Sequence, residues 1–119
     1  MSKLRPADEE PFVAHCRELL GPLGPVRTRR MFGAVGLYVD GLFIALIEDE
    51  VLYLKGHALH QAAFEAAGCR RFEYLMKDGS RAHLNYWSAP ETAMESPAEM
   101  RPWALRAIDA ALKKNSRAC

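Results

Sequence analysis

The sequence predicts an α+β domain of two layers, a mostly antiparallel sheet with its helices packed mainly on one face. Apolar residues recur at helical spacing in three segments and in strand-like patterns in six others. Two loops between strand segments, Asp40-Gly41 and Lys77-Asp78-Gly79-Ser80, carry the Asp-Gly chemistry of tight hairpins, which join antiparallel neighbours. The order is helix, four strands, helix, two strands, helix, too poor in β-α-β alternation for a parallel sheet.

Phe12, Val13, Cys16, Leu19 and Leu20 make one apolar helical stripe, with Asp8 as a candidate cap and Glu9 and Glu10 in the first turn. Gly21-Pro22-Leu23-Gly24-Pro25 ends that helix, since proline cannot continue it and glycine supplies the turn. Val26 to Phe32 reads as a first strand, partly wet because of Arg27, Arg29 and Arg30. Val35, Leu37 and Val39 alternate with Gly36, Tyr38 and Asp40, and Leu42 to Ile47 is a continuous apolar run. A two-residue Asp40-Gly41 loop sets Val39 opposite Leu42, Leu37 opposite Ile44 and Val35 opposite Leu46. The other face then carries Tyr38, Phe43, Ala45 and Ile47, so the third strand is apolar on both sides. That quartet is the expected homodimer face, because a patch of this kind is hidden by pairing about a two-fold axis.

Val51 to Leu54 follows an acidic turn, Glu48-Asp49-Glu50. Leu59, Ala62, Ala63, Ala66 and Ala67 suggest a second helix with small buried residues, ended by Gly68. Phe72–Met76 and Ala82–Tyr86 flank the second hairpin, and Pro90 and Pro97 bracket a short helical turn. Ser96, Pro97 and Glu99 form a capping box that opens a last helix running to about Lys114, with Lys113 and Lys114 at its cation-favouring end. Its buried stripe is Met100, Trp103, Ala104, Ala107, Ile108 and Ala111.

The chain has 119 residues, 50% of them hydrophobic and 26% charged, which suits one globular domain. A net charge of +1 and a pI near 7.8 lack the footprint of a strongly basic nucleic-acid module and of a polybasic membrane anchor. No segment approaches the roughly 20 apolar residues of a membrane span, and the start of the chain has no apolar signal-peptide core. Three widely spaced cysteines, Cys16, Cys69 and Cys119, read as reduced thiols and predict a cytoplasmic protein.

Catalytic and metal signatures are sparse. Cys16 falls on a buried helical stripe, and Cys69 stands beside Arg70 and Arg71, which would lower a thiol pKa, but no base or orienting acid accompanies it. No GxSxG, HExxH or phosphate-loop pattern is present. His57 and His60 share a helix face, yet only the distant His83 could join them, so no metal site and no cofactor are expected. Gly33-Ala34-Val35-Gly36 feeds a strand and so fits a turn or bulge better than a phosphate cradle. Cations gather in two places, Arg27, Arg29 and Arg30, and the C-terminal helix with Arg101, Arg106, Lys113, Lys114 and Arg117 against Asp109. Aromatic residues are not interleaved with them along the chain.

The run Arg29-Arg30-Met31-Phe32-Gly33-Ala34-Val35-Gly36-Leu37-Tyr38, followed by Asp40-Gly41, Leu52-Tyr53-Leu54-Lys55, Phe72-Glu73-Tyr74, Asn85-Tyr86-Trp87, Pro90 and Trp103-Ala104, resembles the TfoX/Sxy N-terminal domain family. The likeness covers about residues 10–113, with Ala34 where the family often has a second glycine. It implies a secretion-chaperone-like antiparallel fold in a single stand-alone domain, without the second, C-terminal domain of the best-known members. It also implies a non-enzymatic role in regulating DNA-uptake (competence) genes, in members that act with a cyclic-AMP-responsive transcription activator. The expected function is therefore a regulatory adaptor working by protein contact as a homodimer, with Arg29, Arg30, Met31, Phe32, Gly33 and Gly36 as the interaction residues. The alternative is a direct nucleic-acid binder using Arg27, Arg29, Arg30 and the basic C-terminal helix.

Overall fold

A computed structural model of the chain describes residues 10–31 and 33–117, with side chains as far as Lys113. Helix α1 (Pro11–Leu20) is followed by strands β1 (Val26–Met31), β2 (Ala34–Val39), β3 (Leu42–Glu48) and β4 (Val51–Lys55). Then come helix α2 (Gln61–Ala66), strands β5 (Arg71–Leu75) and β6 (Arg81–Ser88), and helix α3 (Pro97–Arg117), with short 3₁₀ turns at Gly21–Leu23, Ala58–His60 and Glu91–Glu95. The six strands form one antiparallel sheet in the order β1-β2-β3-β4-β6-β5, so the α+β expectation holds. No described helix is long and apolar enough to cross a membrane.

Local chemistry explains most boundaries. Helix α1 opens on Pro11 with Glu10 in the cap position, while Asp8 and Glu9 lie outside the described residues. Asp40 and Gly41 both take positive φ, 52° and 82°, the backbone of a hairpin turn whose twist matches the strands it joins. Asp49 and Glu50 do the same between β3 and β4. The Ser96 hydroxyl accepts a bond from the Glu99 amide at 3.1 Å, as the capping box predicts for α3. Lys114, Arg117 and Cys119 bear on expectations above, but their side chains lie outside the described residues.

Helix α3 packs on β3 and β4, with α1 against it. Beneath them Val13, Cys16, Leu20, Leu37, Ile44, Leu54, Met100, Ala104 and Ala107 reach almost complete burial. Helix α2 contributes differently from expectation. Its buried residue is Phe64, held between Trp87 at 5.9 Å and Trp103 at 5.2 Å, whereas Ala62, Ala66 and Ala67 are exposed and Leu59 is 67% exposed. One large ring fills the space that several alanines were expected to fill.

The β2–β3 register corrects a second expectation. Val39 pairs with Leu42, but Leu37 then faces Ala45 and Val35 faces Ile47, because the register shifts between Leu37 and Tyr38. The extra residue on β3 is Ile44, and a bulge there lets consecutive residues turn to one side. Ile44, Ala45 and Ile47 all join the helix-side core, with Leu42 packed against it. The apolar run is thus mostly one-sided, and Phe43 and Leu46 are what it sends to the other face.

Candidate functional site

The face of the sheet turned away from the helices is built from alternate residues of each strand. Arg27 pairs with Tyr38, and Tyr38 pairs in turn with Phe43. Lys55 pairs with Tyr86 on the far side. The rings of Tyr38 and Phe43 stack with centroids 5.0 Å apart, and Phe43 meets Tyr86 at 6.1 Å. Lys55 bridges them: its Nζ lies 5.4 Å from the Phe43 centroid and 5.2 Å from that of Tyr86, and donates to the Tyr86 hydroxyl at 3.1 Å. Burial lowers the Lys55 pKa below the ordinary lysine value. The result is a row across five strands, reading cation, ring, ring, cation, ring.

Gly36 makes the row possible. A Cβ there would stand 2.8 Å from both Met31 Cε and Phe43 Cε1, so only glycine lets these side chains lie flat over β2. Farther along the same face Leu46, paired with Gly36 and Tyr53, is 8% exposed although it is outside the helix-side cluster. Tyr53 packs edge-on to Phe72 at 4.9 Å, and Phe72 meets Tyr74 at 6.4 Å. This side therefore roofs much of its own apolar surface with rings. A shallow hollow at the end of the row is lined by Arg27, Thr28, Arg29, Tyr38 and Gly41.

Residues 18–111 match the family model of the TfoX N-terminal domain. The chain belongs to that family. Among curated proteins it is similar to a DNA transformation protein, TfoX1, of Aliivibrio fischeri (strain ATCC 700601 / ES114), with 36% identity over 78 residues. That match covers 66% of this chain and 37% of the relative, so the chain spans little more than a third of the curated protein it matches.

Within this TfoX domain the expected interaction residues do not form one surface. Arg29 shares the open face with Gly36, its partner in the β1–β2 register, and Met31 Cε lies near Gly36 on that face. Arg30 points to the helix side, where it forms an ion pair with Glu10 at the start of α1. Gly33 takes φ 83° in the β1–β2 turn, which is a backbone requirement. Phe32 lies outside the described residues. The expected dimer face is corrected as well: Ala45 and Ile47 are core residues because of the bulge, while Tyr38 and Phe43 do lie on the open face. The row itself escaped the sequence reading because its members are neighbours by register, not along the chain.

The remaining candidates for chemistry are occupied otherwise. Burial raises the Cys69 pKa, opposite to the lowering that Arg70 and Arg71 were expected to give, and Arg71 stacks instead over Trp87 at 5.7 Å. The Cys16 thiol, buried on α1, is pushed up to about 12. Cys69 and His15 line a cleft of about 830 Å³, where His15 Nε2 is hydrogen-bonded to the Met94 carbonyl at 2.7 Å. His60 pairs with Asp109 at 2.7 Å and His83 with Glu73 at 3.2 Å, while His57 Nδ1 accepts from the Leu59 amide. The Asp109 carboxyl is held below its usual range, first by Lys113 and then by His60. Among the described residues no group of three His, Cys, Asp or Glu side chains is gathered for a metal ion.

Proposed function

We propose that this chain is a non-enzymatic regulatory adaptor of the TfoX type, acting in the control of DNA-uptake genes by binding a transcription activator. The observation that carries the reading is the match of residues 18–111 to the TfoX N-terminal domain, together with a curated relative named as a DNA transformation protein. The raised thiol of Cys69 and the paired histidines favour binding over catalysis as the mode of action.

Edge strand β1 suits the protein contact. It is the first strand of the sheet, and among the described residues no strand lies beside its outer edge. Arg27 and Arg29 are exposed along it, with Arg30 exposed beside Glu10 on the other face. An extended segment bearing acidic residues would add a strand while answering the charges of Arg27 and Arg29. The test compares DNA-uptake transcripts in cells carrying the native chain, a deletion, and an Arg29→Ala/Arg30→Ala variant. Transcript levels are expected to change on deletion and to stay changed in the variant. Unaltered transcripts in the deletion strain would end the regulatory reading.

A further inference from the structure

We propose that the open face of the sheet binds single-stranded nucleic acid, with bases lying on Tyr38, Phe43 and Tyr86 and phosphates held by Arg27, Arg29 and Lys55. The inference goes beyond the adaptor reading, since it assigns a different ligand, held by the rings of the sheet face and Lys55 as well as by Arg27 and Arg29 of the β1 edge. It rests on the row described above, in which aromatic planes and cations interleave across β1, β2, β3, β4 and β6. Neighbouring strands lie about 4.8 Å apart, so the row is roughly 19 Å long. A four-stranded sheet face offers room for two or three stacked bases, and this one is comparable in width.

The chemistry selects the ligand. Stacking on a half-buried ring needs an open base face, which a duplex hides within its own stack and a single strand presents. Phosphates spaced along that strand answer Lys55 between the rings and Arg27 and Arg29 at the end of the row. The row carries no carboxylate of its own, and the acidic turn Glu48-Asp49-Glu50 sits at the opposite end of β3. A second copy fits less well: two-fold pairing would bring Arg27, Arg29 and Lys55 toward the same three cations of the other chain. An apolar protein surface would desolvate them without any counter-charge.

The roles also separate from the family's sequence signature. Arg30, one of the arginines expected to contact nucleic acid, is engaged with Glu10 on the helix side. The cations of α3 lie on the layer that covers the opposite face, where Lys113 is engaged with Asp109 and the Arg106 guanidinium stacks on Trp103 at 4.5 Å.

The test is fluorescence anisotropy of labelled oligo(dT) and oligo(U) of about 15 nucleotides, against a duplex of equal length, between about 50 and 200 mM salt. Sedimentation velocity of the same protein runs alongside. Saturable binding of a single strand is expected, tighter than duplex, with log K falling against log salt at a slope of about −2 for three phosphate contacts. Whichever of the DNA and RNA probes binds tighter identifies the source of the ligand. The Arg27→Ala/Arg29→Ala variant should weaken binding at least tenfold (an order-of-magnitude figure) and flatten the slope by about 1.4. Tyr38→Leu, which keeps bulk but removes the ring, should weaken binding by about fivefold or more at unchanged slope. Arg101→Ala on α3 should change neither, and circular dichroism should show each variant folded. The proposal is overturned by absence of single-strand binding at tens of micromolar, by duplex binding as tight as single strand, or by variants that bind like the native chain. It is overturned equally by polyglutamate competing as well as oligo(dT), or by a dimer that Tyr38→Leu dissociates. No single-strand binding by the native chain, with a transcript response that still depends on the chain, would remove this site and leave the adaptor reading standing.

Discussion

On its helix side the sheet buries Leu37, Ile44, Leu54 and the facing Phe64 completely, while on the other side Tyr38, Phe43, Lys55 and Tyr86 stay half exposed. The same strands supply both sets, and β3 supplies both within seven residues. The helix side uses branched aliphatic residues and small alanines of α3 packed to high density, the arrangement in which each lost methylene is felt. The open side uses rings that cover one another and a lysine stem laid across them, leaving polar ends at the surface. One side is closed around a core and the other leaves rings and cations at the surface, and that division can be attacked from either direction.

The largest effect is expected from Phe64→Ala. It removes a ring with no exposure from between two tryptophans, and should lower unfolding free energy by about 3–5 kcal/mol in a denaturant titration. A loss under about 1 kcal/mol would mean that α2 is not part of the core. Two glycines come next and fail for different reasons. Gly36→Val drives a side chain into Met31 and Phe43 and should cost about 1–3 kcal/mol, with loss of the Tyr38–Phe43 stack. Gly33→Val meets no atom within 4 Å and suffers only from its positive φ, so about 1–2 kcal/mol and a folded protein are expected. A thermal melt of both variants distinguishes crowding from backbone strain.

Lys55→Met should leave stability within about 0.5 kcal/mol, since it exchanges a desolvated cation for an apolar side chain of similar length. Single-strand affinity should nevertheless fall, which is the mark of a residue kept for binding. The smallest effect concerns the β5–β6 hairpin, where Glu73 is held below its usual carboxylate range, first by His83 and then by Arg81. Because the folded-state value is depressed, the stabilisation is present above the ordinary glutamate pKa and is lost as pH falls through the depressed one. Amide protection at Tyr74 and Leu75, taken relative to the intrinsic exchange rate at each pH, should fall on that descent in the native chain and remain flat in Glu73→Gln.

Much of the architecture was readable from local chemistry. The Asp40-Gly41 and Asp78-Gly79 turns, the Ser96 cap and the Met100–Ala111 stripe each depend on a few adjacent residues, and each stands where the pattern put it. What was not readable depends on a count that alternation cannot supply. A strictly two-residue period assigns Ala45 and Ile47 to the wrong face, because the inserted Ile44 leaves no mark in a run that is apolar throughout. Phe64 was overlooked because a single large ring among alanines does not make a periodic stripe. The row of Arg27, Tyr38, Phe43, Lys55 and Tyr86 joins residues up to 59 positions apart, so it exists only once five strands are in register.

The extra residue in β3 has a consequence for how this domain can diversify. It decouples the phase of the strand before it from the phase after it, so Leu42 and Phe43 answer to the hairpin turn while Ala45 and Ile47 answer to α3. Substitutions at the aromatic end can therefore accumulate without rotating the aliphatic end out of the interior. Deleting that single position would exchange what is wet for what is dry along half the strand.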